Sequence, residues 1–168
     1  MAHIGDIYKR SEVLAFMAVT TTSNSGGTTT TTTTNHRMKK FTKLEQSKNP
    51  QEYERQYVDE EFKRSDVVGY SPQISYAFDY HYLNNVHTVI KEITDGEKTG
   101  DDAVVTIIWA ETTGGVAYKR EYSVIPDTEG DSLNAYTYSG TFKARGPAVA
   151  GTAVSSDDWQ TITFTETT

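Results

Sequence analysis

The sequence predicts a mainly β fold, a β-sandwich or partly open barrel with one packed α-helix at about residues 84–95. Threonine and tyrosine, which favour strands, occur 26 and 11 times among 168 residues. About eight short apolar or alternating segments follow one another along the chain, separated by turn residues, as is typical of such folds. One segment has the spacing of a helix instead.

The first strand is predicted at Val13–Val19, a short apolar run that suits a buried strand. Thr20–Thr34 follows and contains ten threonines around the turn signal Asn24-Ser25-Gly26-Gly27. Because β-branched threonine is stiff at χ1, a hairpin of threonine-rich strands is one interpretation. A mobile polar loop is equally compatible, since nothing apolar in this stretch would anchor it.

The next segment, Glu45–Asp66, is polar and charged, and Asn49-Pro50 supplies a turn signal near its start. Tyr53 and Tyr57 fall on one side of an alternating pattern, which predicts an extended strand or the arm of a long hairpin. Val67–Asp79 then predicts a further strand by its alternation of apolar and small residues.

Four apolar residues after this strand have the spacing of one helical face, and we expect them to pack on the β-structure. They are Val86, Val89, Ile90 and Ile93. Asn84 or Asn85 is the expected N-cap and Gly96 the expected end of the helix.

The remaining strands are predicted at Ala103–Glu111, Val116–Ile125, Ser132–Lys143 and Trp159–Phe164. Thr112–Gly115 is expected to join the first two as a hairpin turn. Two segments are expected to lie outside the strands: a polar turn at Pro126–Asp131 and a small, flexible stretch at Arg145–Val154.

The net charge of −7 and the pI near 5.1 argue against a protein that holds nucleic acid by neutralising phosphates. Residues 1–64 contain 10 basic and 8 acidic side chains, a net of +2, whereas residues 65–168 contain 6 basic and 15 acidic, a net of −9. Such an asymmetry suits contact between one part of the surface and another part of a neighbouring copy. Chance clustering on solvated loops explains it equally well.

The absence of cysteine excludes a disulfide scaffold, thiolate catalysis and cysteine-ligated metal sites. The apolar runs are too short for a transmembrane helix, and Met1–Ser11 lacks the apolar core of a secretory signal. We therefore expect no contact with a membrane.

The sequence also predicts no enzyme, no metal and no cofactor. It contains no Gly-x-Ser-x-Gly motif, and Asp79, His81 and His87 match no metal-ligand spacing, so we interpret the histidines as a surface or helix-entry pair. Three pairs of adjacent acids lie beside polar turn residues, where solvation explains them. These pairs are Glu60-Glu61, Asp101-Asp102 and Asp157-Asp158.

Several short motifs follow one another in a characteristic order and spacing over residues 37–166. They are Phe41-Thr42-Lys43-Leu44, Asn49-Pro50, Tyr57-Val58-Asp59-Glu60, Tyr70-Ser71-Pro72-Gln73-Ile74-Ser75, Gly140-Thr141-Phe142-Lys143, Pro147, Gly151-Thr152 and Thr161-Ile162-Thr163-Phe164. In this order the chain resembles the major tail tube proteins of long-tailed, siphovirus-type bacteriophages. The threonine tract is where the sequence departs from that pattern.

The resemblance implies a single tail tube domain over residues 1–168, a β-sandwich or barrel with one packed helix. It implies a structural virion protein, made in the host cytoplasm, whose hexameric rings stack head to tail into the hollow tube that conducts DNA during ejection. The implied partners are further copies of the chain and other tail proteins, namely the tape measure, terminator and baseplate or distal tail proteins. DNA would pass without specific binding. Tubes of contractile tails and of type VI secretion systems would share the fold.

Within this framework we expect Lys43–Asp66 to project as an arm that contacts the neighbouring ring, since interfaces are enriched in exposed aromatic residues. The expected contact residues are Asn49, Pro50, Tyr53, Tyr57, Val58 and Phe62. An ordinary solvent-exposed hairpin is the alternative.

The strands at 103–111 and 116–125 are expected to help form the inner wall of the ring, with Glu111, Glu121 and Asp127 facing the lumen and repelling DNA. A β-sandwich binding or decoration module is the alternative function. Such a module needs clustered exposed aromatic residues, whereas Trp109 and Trp159 lie in apolar strands.

Overall fold

The computed structural model describes residues 7–130 and 132–168, which form eleven strands and one α-helix. The strands are β1 (Val13–Ser25), β2 (Thr28–Arg37), β3 (Phe41–Ser47), β4 (Pro50–Arg55), β5 (Arg64–Tyr70), β6 (Gln73–Asp79), β7 (Val104–Glu111), β8 (Val116–Glu129), β9 (Thr137–Ala144), β10 (Val149–Val154) and β11 (Thr161–Glu166). The helix is α1 (Asn85–Asp95), and short 3-10 turns occur at Arg10–Glu12 and Gly100–Ala103.

Nine strands form one antiparallel sheet in the order β10-β11-β2-β1-β7-β8-β9-β6-β3. Because β10 also pairs with β8, the first six strands of that order close into a barrel, and β9, β6 and β3 extend it as an open sheet. β4 and β5 pair only with each other among the described strands. The predicted mainly β, partly open barrel with one helix is confirmed.

Two apolar cores lie on opposite faces of β1. Leu14 and Phe16 point into the barrel, whereas Ala15 and Met17 point to the core beneath α1. Successive side chains of a strand point to opposite faces, so a strand between two cores must be apolar at every position. This explains the uninterrupted apolar run at the start of β1.

Helix α1 covers the core that lies outside the barrel, on one face of the sheet. The Asn84 side chain caps it by accepting hydrogen bonds from the backbone N–H groups of Val86 and His87, at 3.1 and 3.3 Å, and Gly96 ends it. Val86, Ile90 and Ile93 are buried, and Val89 packs against the same core while half-buried.

The outer part of the β1–β2 hairpin extends beyond the sheet, from the pair Thr20 and Thr33 to the pair Ser25 and Thr28. The Thr20 and Thr33 hydroxyls are hydrogen-bonded at 2.9 Å, and Gly26 and Gly27 form the turn with positive φ. Of the two interpretations of the threonine tract, the structure therefore has the hairpin. Its anchor is the buried half of β1 and not the tract itself.

Two segments that were expected to lie outside strands are in fact paired, so those predictions are wrong. β8 continues through Pro126, which lies opposite Gly140 where the register with β9 shifts, and a proline is tolerated at such a bulge. The expected flexible stretch contains β10, which pairs with β8 and β11. A side chain at Gly151 would collide with the Thr165 carbonyl, so the small residues of β10 permit a close approach of strands.

Three strand boundaries also differ from the expectation. The predicted strand Val67–Asp79 is two strands, β5 and β6, separated at Ser71-Pro72. β9 starts only at Thr137, and β11 starts at Thr161, after Trp159 in a left-handed conformation.

Candidate assembly surfaces

The first candidate surface is the arm, which we define as residues 48–71. The structure places Lys43 in β3 of the main sheet, so the arm starts later than expected and continues to the end of β5. Its base is closed by Ser71, whose backbone N–H donates to the Lys48 and Asn49 carbonyls at 3.2 Å. The Asn49 side-chain amide donates back to the Ser71 carbonyl at 3.1 Å, and Pro50 then begins β4 opposite Tyr70.

The arm contains a set of apolar side chains that no other described element covers. Val58 and Phe62 retain 108% and 79% of their accessible surface. Tyr53 and Tyr57 are also exposed. Three further apolar residues of β5 are exposed, and the sequence analysis missed them: Val67, Val68 and Tyr70. Apolar residues that do not alternate with polar ones in a polar arm were the signal that could have found them.

Gln56–Lys63 forms a loop at the far end of the arm, which we call the tip. Of the two interpretations of this segment, an extended strand or the arm of a long hairpin, the structure has the hairpin, whose strand pairing ends at Arg55, before Tyr57. The Gln56 side-chain amide donates to the Glu60 and Glu61 carbonyls at 3.2 and 3.4 Å, which holds the loop closed. Such local bonds compete with continued strand pairing.

The second candidate surface is a cavity of about 400 Å³ beside the start of α1, which we call the socket. Its lining includes His36, Arg37, Lys39, Lys40 and Leu83. The socket therefore concentrates cationic side chains in a chain whose net charge is −7.

The backbone bend that presents Lys39 and Lys40 is held from the core. The Met38 N–H donates to the Ala15 carbonyl at 2.8 Å, and Lys40 has a positive φ of 60°. The Lys39 carbonyl accepts from the Asn84 side-chain amide at 3.2 Å and lies 3.0 Å from Nε2 of His87. The socket is thus a preformed part of the body.

Of the two interpretations of the histidines, the helix-entry position fits His87, which is fully buried in the first turn of α1, whereas His81 is exposed. The His81 backbone N–H donates to Nδ1 of His87 at 3.2 Å, so Nε2 carries the proton and donates to the Lys39 carbonyl. Burial lowers the pKa of His87 to about 4. Its position three residues before Ile90 was a signal for the buried face that sequence analysis overlooked.

The third candidate surface is the face of β6, β8 and β9 that points away from α1, which we call the open face. Its side chains are small and mostly hydroxylated, and no described element covers it. Ser75, Ala77, Ser123, Ser139 and Thr141 form its centre, all half-buried.

The structure does not bring the three predicted lumen acids together. Glu121 lies on the open face, because its neighbours Tyr122 and Val124 alternate with it and Tyr122 points to the core beneath α1. Glu111, at the end of β7, is half-buried. It alternates with Ala110, which points into the barrel, and so it points to the helix side. Asp127 is exposed and lies within the register shift between Pro126 and Glu129, where strand alternation does not assign a side chain to one face.

Two electrostatic features accompany this arrangement. Burial, with a contribution from the nearby Asp127 charge, raises the pKa of Tyr76 to about 12. Hydrogen bonds from Thr161 and Ser155 hold the pKa of Asp157 well below its usual range. Neither group is placed for catalysis: Tyr76 is a core residue, and Asp157 organises its own loop.

Residues 7–130 and 132–168 contain no cluster of three or more histidine, cysteine or acidic side chains that would hold a metal ion. The described part of the chain also contains no helix with the length and apolar character that a membrane span needs.

The sequence matches no protein-family model and no curated protein. Its fold is similar to a chain in the tail of an empty gene transfer agent particle, determined by helical refinement with C6 symmetry, at a TM-score of 0.58 and 10% identity. A chain in the virion of a native gene transfer agent particle gives a TM-score of 0.54 at 12% identity. Each comparison covers 84% of this chain and 97% of the other. At this identity the likeness shows a shared fold.

A chain in the six-fold symmetrised baseplate of the anti-feeding prophage has a TM-score of 0.41 at 8% identity, covering 89% of this chain and 97% of the other.

Proposed function

We propose that the chain is a structural tail protein, the subunit of a hollow tail tube that belongs to a phage or a phage-like particle. Hexameric rings of this subunit stack head to tail. The similarity of fold to a chain from a tail with C6 symmetry carries the proposal, because it extends over most of both chains. The uncovered surfaces of the subunit suit such an assembly, in which each copy would bury surfaces that a single copy leaves exposed.

The arm supplies the contact between rings. Its two strands pair with no third strand among the described residues, and two-stranded ribbons are marginally stable alone in water. Exposed aromatic and aliphatic side chains concentrated in one projecting segment are typical of the centre of an interface. A neighbouring subunit would cover them.

The open face forms the wall of the lumen. Small hydroxyl groups offer DNA few cationic contacts, and phosphate neutralisation by cations dominates DNA affinity. Glu121 on this face repels phosphates, while Lys143 on β9 lies on the same face and partly compensates the charge. The lumen is therefore a weakly charged polar surface, along which DNA slides without specific binding.

The experiment that tests this function is negative-stain electron microscopy of the concentrated, purified chain. We expect rings and long hollow tubes. A chain that remains a dispersed monomer at all concentrations would contradict the tube and favour a decoration module.

A variant that lacks the arm tests its part separately. Replacing residues 50–70 by Gly-Gly joins Asn49 to Ser71, whose backbone bonds already hold the two ends together. We expect a folded subunit with the melting temperature of the unaltered body and no tubes. Normal tubes from this variant would show that the arm is an ordinary hairpin.

A further inference from the structure

We propose that the tip of one subunit docks into the socket of the next subunit along the tube. This inference rests on the proposed tube function and names the partner surface of the arm: the basic and apolar cavity beside the start of α1. The acidic, apolar tip would be its occupant, supplied by a second copy of the same chain.

The tip and the socket belong to opposite ends of the subunit. β3 begins at Phe41, directly after the socket lysines, and ends at Ser47, directly before the arm. β6 returns from the arm to Asp79, close to the socket residue Leu83. Strands of seven residues span about 20 Å. Complementary surfaces at opposite ends form a heterologous contact, which repeats along an axis instead of closing into a dimer.

The tip combines free acids with apolar side chains. Asp59 and Glu61 are exposed and form no ion pair with any residue that the structure describes, whereas Glu60 is paired with Arg64 at 2.5 Å. Val58 and Phe62 flank these acids and are exposed. One short loop therefore offers both negative charge and an aromatic anchor.

The socket has the complementary composition. Lys39 and Lys40 are exposed on its rim, Arg37 and His36 are half-buried, and Leu83 exposes 80% of its surface beside them. The Asp157 carboxylate, whose charge acts on His36, accepts hydrogen bonds from Thr161 and Ser155 of its own loop, and Lys39 Nζ donates to Oε1 of Gln160 at 2.6 Å. Arg37, Lys39 and Lys40 form no ion pair with any residue that the structure describes, so their charges can pair with a carboxylate of another copy.

Both partners are largely organised before they meet. Backbone hydrogen bonds hold the socket bend, and the Gln56 amide closes the tip loop. Preorganisation lowers the entropy that binding costs. A nucleic acid phosphate would also suit the lysines, but it would leave the apolar side of the cavity without a partner, and the acidic chain as a whole repels it.

The test exchanges the charges of the two surfaces. The socket variant carries Lys39→Glu with Lys40→Glu, and the tip variant carries Asp59→Lys with Glu61→Lys. At about 0.1 M salt, where such charges are not fully screened, each variant alone should form at least about tenfold less sedimentable tube than the original chain. An equal mixture of the two variants should form tubes again, because each tip then meets a socket of opposite charge.

A matched control carries Lys9→Glu with Lys98→Glu, which makes the same change of net charge at two exposed positions outside the tip and the socket. This control should assemble normally. Assembly that is lost in the control as well, or that the mixture does not restore, would overturn the docking. Thermal melting of each variant verifies that the subunit remains folded.

Cysteine pairs give a second measurement, since the chain contains no cysteine. Glu61→Cys with Lys40→Cys should form a disulfide-linked ladder between copies under oxidation, and Glu61→Cys with Lys98→Cys should not. If the original chain forms no tubes, the proposed function fails. If it forms tubes while the socket variant assembles normally and no ladder appears, the docking alone fails. Binding of a duplex DNA fragment that requires Lys39 and Lys40 but not the tip would assign the socket to nucleic acid instead.

Discussion

Along the chain, the arm precedes β6 and helix α1 follows it. Both segments contain several apolar residues among polar ones. In α1 the apolar side chains of Val86, Ile90 and Ile93 are buried against the sheet, whereas those of Val58 and Phe62 in the arm are exposed. The helix has a sheet face behind it, and the two-stranded arm has none. The contrast separates residues that stabilise one subunit from residues that become useful only when subunits meet.

The largest effect on the stability of a single subunit is expected for Ile90→Asp. This change places a carboxylate without a partner in the core beneath α1 and should lower the free energy of unfolding by about 3–5 kcal/mol. Thermal or urea unfolding measures the loss. The control is Glu92→Gln on the exposed side of α1, which should melt like the original chain. An Ile90→Asp variant with unchanged stability would show that α1 is not packed on the sheet.

His87 should make the same buried region sensitive to pH. Its pKa is about 4 when folded and near 6.5 when unfolded, so the unfolded chain binds more protons between these values. The free energy of unfolding should therefore fall by up to about 3 kcal/mol as the pH is lowered from 6.5 to 4.

Urea unfolding across this pH range measures the effect, and a His87→Gln variant supplies the control because it cannot titrate there. The variant should have a lower stability and a flatter pH dependence. Equal slopes in both proteins would assign the acid sensitivity to other groups.

The arm should show the opposite behaviour. Val58→Ser with Phe62→Ser removes apolar surface that is exposed in the subunit, so the melting temperature should change little while tube formation is lost. Sedimentation and electron microscopy measure assembly. Tubes of normal length, or a strongly destabilised subunit, would remove the distinction between folding and assembly residues that α1 and the arm suggest.

The smallest effect on the subunit is expected for Glu121→Lys on the open face. Stability and tube formation should be unchanged, but the new cation should slow DNA release from assembled particles, because it would add a phosphate contact in each copy of the proposed hexameric ring. Glu92→Lys, which makes the same change of charge on the exposed side of α1, is the control and should leave release unchanged. Equal release rates in both variants would place the open face outside the lumen.

The helix shows how far local pattern reaches. The spacing of Val86, Val89, Ile90 and Ile93, a capping asparagine and a terminal glycine all act within a few residues, and the structure has the helix at these positions. The same spacing also indicated that His87 is buried, since it lies three residues before Ile90. The sequence analysis did not predict this, because a histidine at the start of a helix is more often exposed.

β10 and the base of the arm show where local pattern ends. The alanines and the glycine within Val149–Val154 have little intrinsic preference for a strand, and the segment is held in one because β8 and β11 pair with it on both sides. Lys43 belongs to the main sheet because β6 pairs with β3, although its sequence surroundings are as polar as those of the arm.

The sequence by itself determined the mainly β composition, the helix, the buried run of β1 and the polar arm with its apolar tip, because these depend on residue type and on spacing over a few positions. Only the tertiary structure decided which strands pair, as when Ile162 lies beside Asn35, and hence the barrel closure. It also placed Glu121 on the open face and the socket lysines at the end of the subunit opposite the arm. Pairing between distant strands depends on which segments fit beside one another in the folded chain, and a pattern within one segment does not contain that information.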